Sequence, residues 1–142
     1  MKNRKTIFTA TVLVLAFALA PIIPTGAQNP SSEVQFQDSS LVGTWRSGVS
    51  NFAYTFSRDG RYVLVGAIET SYMSTTTAEE GTYAVNGDQL ILRRQNGKIE
   101  ASNGYRQDLK PQTTVFGWRR SGQALQLIFP NGMGAETFYL SE

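Results

Sequence analysis

The chain has 142 residues, with 13 Lys and Arg against 11 Asp and Glu, and contains neither cysteine nor histidine. Those two absences exclude disulfides, thiolate nucleophiles, Cys/His zinc sites and a Ser-His-Asp triad. The basic excess sits in Lys2, Arg4 and Lys5; the remainder carries 10 basic and 11 acidic residues, net −1, which removes the case for a nucleic-acid partner.

In chain order, the basic start is followed by an uncharged, mostly apolar run from Ile7 to Ala20, then Pro21, Pro24 and the small residues Thr25-Gly26-Ala27. This pattern predicts a secretory signal peptide over 1–27, cleaved after Ala27, and hence a secreted or periplasmic protein. The rival reading is an uncleaved anchor, for which the run is short against the roughly 20 residues of a bilayer span. On the first reading the export signal is the chain's only dealing with a membrane. Residues 28–37, "QNPSSEVQFQ", are polar and without period, and read as a flexible linker.

The domain is predicted over 38–142. Asp38, Ser39 and Ser40 can accept hydrogen bonds from the N–H groups of a brief helical turn through Leu41 and Val42. From there the pattern has period two. "NFAYTFS" sets Phe52, Tyr54 and Phe56 on one face; Arg58-Asp59-Gly60 turns; "RYVLVGAIE" alternates again. "TSYMSTTTAEE", Thr70 to Glu80, interrupts the rhythm, either as strands extended past the barrel or as a loop over one end, with a solvated threonine-rich hairpin tip as the ordinary reading. "GTYAV", "QLILRRQ", "KIEAS", "TTVFGWRR", "QALQLIF" and "ETFYL" follow, with turns expected at Asn86-Gly87, Asn96-Gly97, Asn103-Gly104, Ser121-Gly122 and Asn131-Gly132. Eight to ten short strands joined mostly by tight turns predict an all-β antiparallel meander. Closure into an up-and-down barrel of about eight strands would remove its edges. An open sandwich is the alternative.

"LVGTW" ahead of the first strand, "YTFSRDGRYV" and "GTYAVNGDQLIL" together resemble the bacterial lipocalin-like (calycin-type) small secreted barrels, over about Ser40 to Leu140. The resemblance implies that Gly43 and Trp45 form the plug of the closed barrel end, with an arginine from a late strand packed over the ring. "ETFYL" has no arginine, so the late candidates are Arg119 and Arg120, one strand earlier than the family pattern. Independently of the resemblance, Gly43 permits a sharp turn, and a tryptophan ring is large enough to fill a barrel end.

Among candidate chemical groups, adjacent Glu79 and Glu80 are sent to opposite faces by a strand and cannot form one acid/base pair. Asp59 and Asp88 are turn residues, and "NGD" at 86–88 is too short for a calcium loop. The arginines offer more. Arg94 shares a face with Leu90 and Leu92, and Arg120 with Phe116 and Trp118. Two guanidinium groups above walls of Phe56, Leu64, Tyr83, Leu92, Phe116 and Trp118 would suit a small apolar or amphiphilic ligand with an anionic head; the ordinary reading is that both reach water at the barrel mouth. An eight-stranded barrel holds either its own side chains or one small ligand. The expectation is a non-enzymatic binding protein without cofactor or metal. The alternative is a protein-interaction module, such as an inhibitor-type barrel acting on a secreted partner.

Overall fold

The computed structural model of the chain describes residues 38–141; the expected export signal and linker lie outside the described residues. Period-two alternation and turn residues yield nine strands: β1 (Gly43–Ser47), β2 (Asn51–Phe56), β3 (Arg61–Glu69), β4 (Ser74–Asn86), β5 (Gln89–Ala101), β6 (Arg106–Asp108), β7 (Gln112–Ser121), β8 (Ala124–Ile128) and β9 (Ala135–Ser141). Every pairing is antiparallel, and β4 pairs with β5 while β1 pairs with both β2 and β9. Eight strands (β1–β5 and β7–β9) therefore close on themselves, which leaves no open edge in that circuit. β6 lies outside it, paired with the distal part of β5.

The expected helical turn is a 3₁₀ turn, Ser39–Leu41, with Asp38 at its N-cap accepting a hydrogen bond from the Ser40 N–H at 2.8 Å. Of two open points, one falls to the extended-strand alternative and the other is a correction. The hydroxyl-rich stretch is mostly strand: only Thr70–Met73 turns, and Ser74–Glu80 runs on as the first half of β4. Asn96-Gly97 does not turn either. β5 passes straight through it, because pairing with β4 on one side and β6 on the other outweighs a local turn preference. The register slips instead at a bulge. Glu80 pairs with Asn96 and Gly81 with Arg94, leaving Gln95 as the extra residue. The close approach there requires glycine, since a Cβ on Gly81 would stand 2.0 Å from the Arg93 carbonyl oxygen.

One face of each of the eight barrel strands fills the lumen. Leu41, Trp45, Phe56, Tyr62, Tyr83, Leu90, Leu92, Leu125, Leu127 and Phe138 are almost wholly inaccessible. Their aromatic members interlock: Tyr54 meets Phe138 edge-on at 5.4 Å, and Phe56 meets Tyr83 edge-on at 5.0 Å. Such contacts add to the gain from area burial alone.

Candidate functional site

In a meander, alternate connections fall at the same end of the barrel, so the seven connections divide between two ends. The 3₁₀ turn and the connections β2–β3, β4–β5 and β7–β8 share one end. Gly43 enters β1 at φ +137°, and a Cβ there would press on the Leu140 side chain, so glycine is required. Trp45 follows, with 0% exposure, and its indole N–H donates to the Leu41 carbonyl at 2.7 Å. Arg120 lies over the ring, its guanidinium carbon 5.3 Å from the ring centroid, and donates to the carbonyls of Ser40 and Gly122. This end is sealed. The cation sits on an aromatic face and ties the 3₁₀ turn to β7.

The residues expected to line a ligand are placed as follows. Phe56, Leu64, Tyr83, Leu92 and Phe116 are all core, packed against one another. Trp118 is partly buried at the sealed end, its N–H donating to the Gly87 carbonyl at 3.1 Å. Arg94 and Arg120 do not converge. Arg94 stands opposite Gln112 at the start of β7, and Arg120 is eight residues further along that strand, about 26 Å at 3.3 Å per residue.

Arg94 belongs to the other, open end. It forms an ion pair with Glu79 at 2.9 Å, with the two side chains 14% and 13% exposed. Its Nε and Nη2 donate to the Lys110 carbonyl at 3.0 Å and the Gln112 side-chain oxygen at 2.9 Å. The Tyr62 hydroxyl donates to the second Glu79 oxygen at 3.2 Å. Each of the three Arg94 nitrogens thus donates within the chain. A second inward carboxylate, Glu136, shares the face of Phe138 on β9. One of its oxygens accepts from the hydroxyls of Ser47 and Ser50, the latter at 2.6 Å. Burial, then the fields of Glu79 and Glu136, pushes the Tyr54 phenol above the usual tyrosine range. Burial and Glu79 do the same to Tyr62.

Above this polar layer lies the rim. Each of its four connections presents large apolar side chains to water: Val49 (88% exposed), Tyr72 (97%) with Met73, Tyr105 and Met133. These turns are held by specific bonds. The Ser47 hydroxyl oxygen accepts from the N–H groups of Val49 and Ser50, and the Thr70 hydroxyl bonds both ways with the Met73 backbone. The Asn103 side chain accepts from the Tyr105 N–H, and the Phe129 N–H donates to the Gly134 carbonyl across the Met133 loop. None of the connections at the sealed end carries an exposed large apolar residue among the described residues. A separate open groove of about 520 Å³ lies beside the bulge, with Val63, Glu79, Glu80, Asn96 and Lys98 among its lining residues.

Sequence reasoning weighed Glu79 only as half of an acid/base pair with Glu80, and passed over Glu136, Ser47, Ser50 and the rim. A signal existed for some. Glu136 shares parity with Phe138 and Glu79 with Tyr83, so both point inward once their strands are drawn far enough. Comparison with protein-family models, with curated proteins and with solved structures gives no match to this chain.

Proposed function

We propose that this protein is an exported, non-enzymatic binding barrel of lipocalin-like type, and that its partner is a protein engaged by the open-end rim. The observation that carries this reading is the set of apolar side chains held out in water by hydrogen-bonded turns, at one end only. Pre-ordered turns lose little freedom on binding, and Tyr and Met are the residue types enriched at protein interfaces. The seal of Trp45 and Arg120 supports the lipocalin-like assignment, and the signal-like leader supports secretion or a periplasmic location. The small-ligand reading loses support, because the aromatic side chains that would line a cavity fill the lumen instead.

The test is site-specific photo-crosslinking of the full chain expressed in its host. A crosslinker at Tyr72 or Met133 should capture one defined protein, and one at Asp59, on the sealed end, should not. Equal capture from both ends, or none from the rim, rejects the reading.

A further inference from the structure

The barrel circuit has no free edge, but the sheet keeps one. β6 stands at the end of the strand order and pairs only with β5. The Tyr105 carbonyl accepts from the Ala101 N–H and the Leu109 N–H donates to the Gly97 carbonyl, both at 2.8 Å, with Gln107 opposite Ile99 between them. Antiparallel alternation therefore turns the backbone N–H and C=O of Arg106 and Asp108 away from β5. Every residue of β6 is exposed. Pro111, with no N–H to offer, ends the edge on one side.

Charges on a short edge ordinarily turn a foreign strand away, but the order of these fits one partner. Lys98 stands opposite Asp108, and Glu100 opposite Arg106, on one face of the sheet. Glu100 accepts Arg106 at 2.9 Å and Lys98 at 3.5 Å, while Asp108 has no ion-pair partner among the described residues. We infer that β6 pairs antiparallel with β6 of a second copy, about a two-fold axis at Gln107, so that one sheet runs through both barrels. In that register Arg106 lies opposite Asp108 of the second copy, and Asp108 opposite its Arg106. These are the positions whose backbone groups face outward, so each opposed pair exchanges both of its N–H···O=C bonds. The charges then alternate across the joined strands: Lys98, Asp108, and the second copy's Arg106 and Glu100. An axis at Arg106 or Asp108 would instead set that charge against its own copy. On the other face Tyr105 comes opposite Leu109 of the second copy, an aromatic beside an aliphatic. Neither the edge nor its charges enter the rim reading above, so the two stand or fall separately.

Sedimentation of the protein purified from its host should show a species of twice the monomer mass that dissociates on dilution. Asp108→Arg and Arg106→Asp should each weaken self-association by roughly tenfold or more, because symmetry makes each of them create two like-charged pairs. Mixed together, the two variants should associate with each other, which also shows that both are folded. The chain has no cysteine, so single thiols report the register. Gln107→Cys should give a disulfide-linked pair on mild oxidation, since Cα atoms opposed across the axis lie about 4.5 Å apart, within disulfide reach. Tyr105→Cys should not, because its copy lies roughly 13 Å away along the strands at 3.3 Å per residue. A monomer at every soluble concentration, a dimer indifferent to both charge reversals, or no association on mixing overturns the inference. Linkage through Tyr105→Cys in place of Gln107→Cys overturns it too. Capture of a different protein by Gln107→Cys, with the parent monomeric, gives the edge to a foreign strand and likewise overturns pairing with a second copy.

Discussion

The two ends of the barrel are made of the same strands and spend their polar groups in opposite ways. At the sealed end, Arg120 is laid on Trp45 and donates to carbonyls, and every connection is short and hydrophilic. At the open end the charges lie inside and the apolar side chains lie outside, in water. An isolated exposed Val or Tyr calls for no explanation, but apolar residues on all four connections of one end do. The difference separates stability from recognition. One end is built so that nothing further needs to bind, the other so that something can.

The largest test of that division is at the seal. Trp45→Ala should cost about 3–5 kcal/mol, the range for deleting a buried large aromatic, because the indole fills the barrel end and satisfies the Leu41 carbonyl. Urea unfolding measures it. A loss under about 1 kcal/mol would mean that the seal does not hold the fold.

Next comes the polar layer. Glu79→Gln should cost about 2 kcal/mol, since Arg94 would remain half-enclosed without its counter-charge. The same unfolding experiment applies, and no change would indicate that water already screens the pair.

The strands of both ends were legible in the sequence because one buried face forces strict alternation, and the inward direction of Arg94 and Arg120 followed from their spacing to Leu92 and Trp118. Their separation to opposite ends did not follow, because it depends on strand direction and register. The Asn96-Gly97 dipeptide misled for a physical reason: local turn chemistry yields to long-range pairing on both sides of β5. The inward direction of Glu79 was not drawn because β4 begins at Ser74 rather than at Gly81. The rim residues Val49, Tyr72, Tyr105 and Met133 are scattered along the chain, and only the up-and-down order brings them to one end.

A smaller effect, confined to high pH, probes the open end. Tyr54 is enclosed beside two carboxylates, so its folded-state pKa is raised above the unfolded value of 10.0. The neutral phenol then favours the folded state. Its contribution is complete below about pH 10 and is lost as pH rises further, because the unfolded chain releases the proton first. From this residue alone stability should fall by about 1.4 kcal/mol per pH unit above 10. Tyr54→Phe should flatten the decline in unfolding free energy between pH 10 and 11.5, and an identical slope would show that the phenol is not enclosed.

The smallest expected change in stability comes from the rim, and there a near-zero result is what the comparison requires. Val49 and Tyr72 contribute almost no buried area to the folded chain. Their turns are fastened by the Ser47 and Thr70 side chains rather than by their own. The pair of substitutions Val49→Ser and Tyr72→Ser should therefore leave the unfolding free energy within about 0.5 kcal/mol of the parent. Partner capture from a crosslinker at Met133 should nevertheless fall sharply, because two of the apolar contacts would be gone. Tyr139→Ser supplies the control: Tyr139 is also exposed but lies on the outer wall, paired with Arg46 and Ala124. Its loss should leave capture unchanged. If the rim pair costs more than about 2 kcal/mol, those side chains belong to the fold and the two ends differ less than their exposure implies. If Tyr139→Ser weakens capture as much as the rim pair does, the partner grips the wall of the barrel and not its mouth.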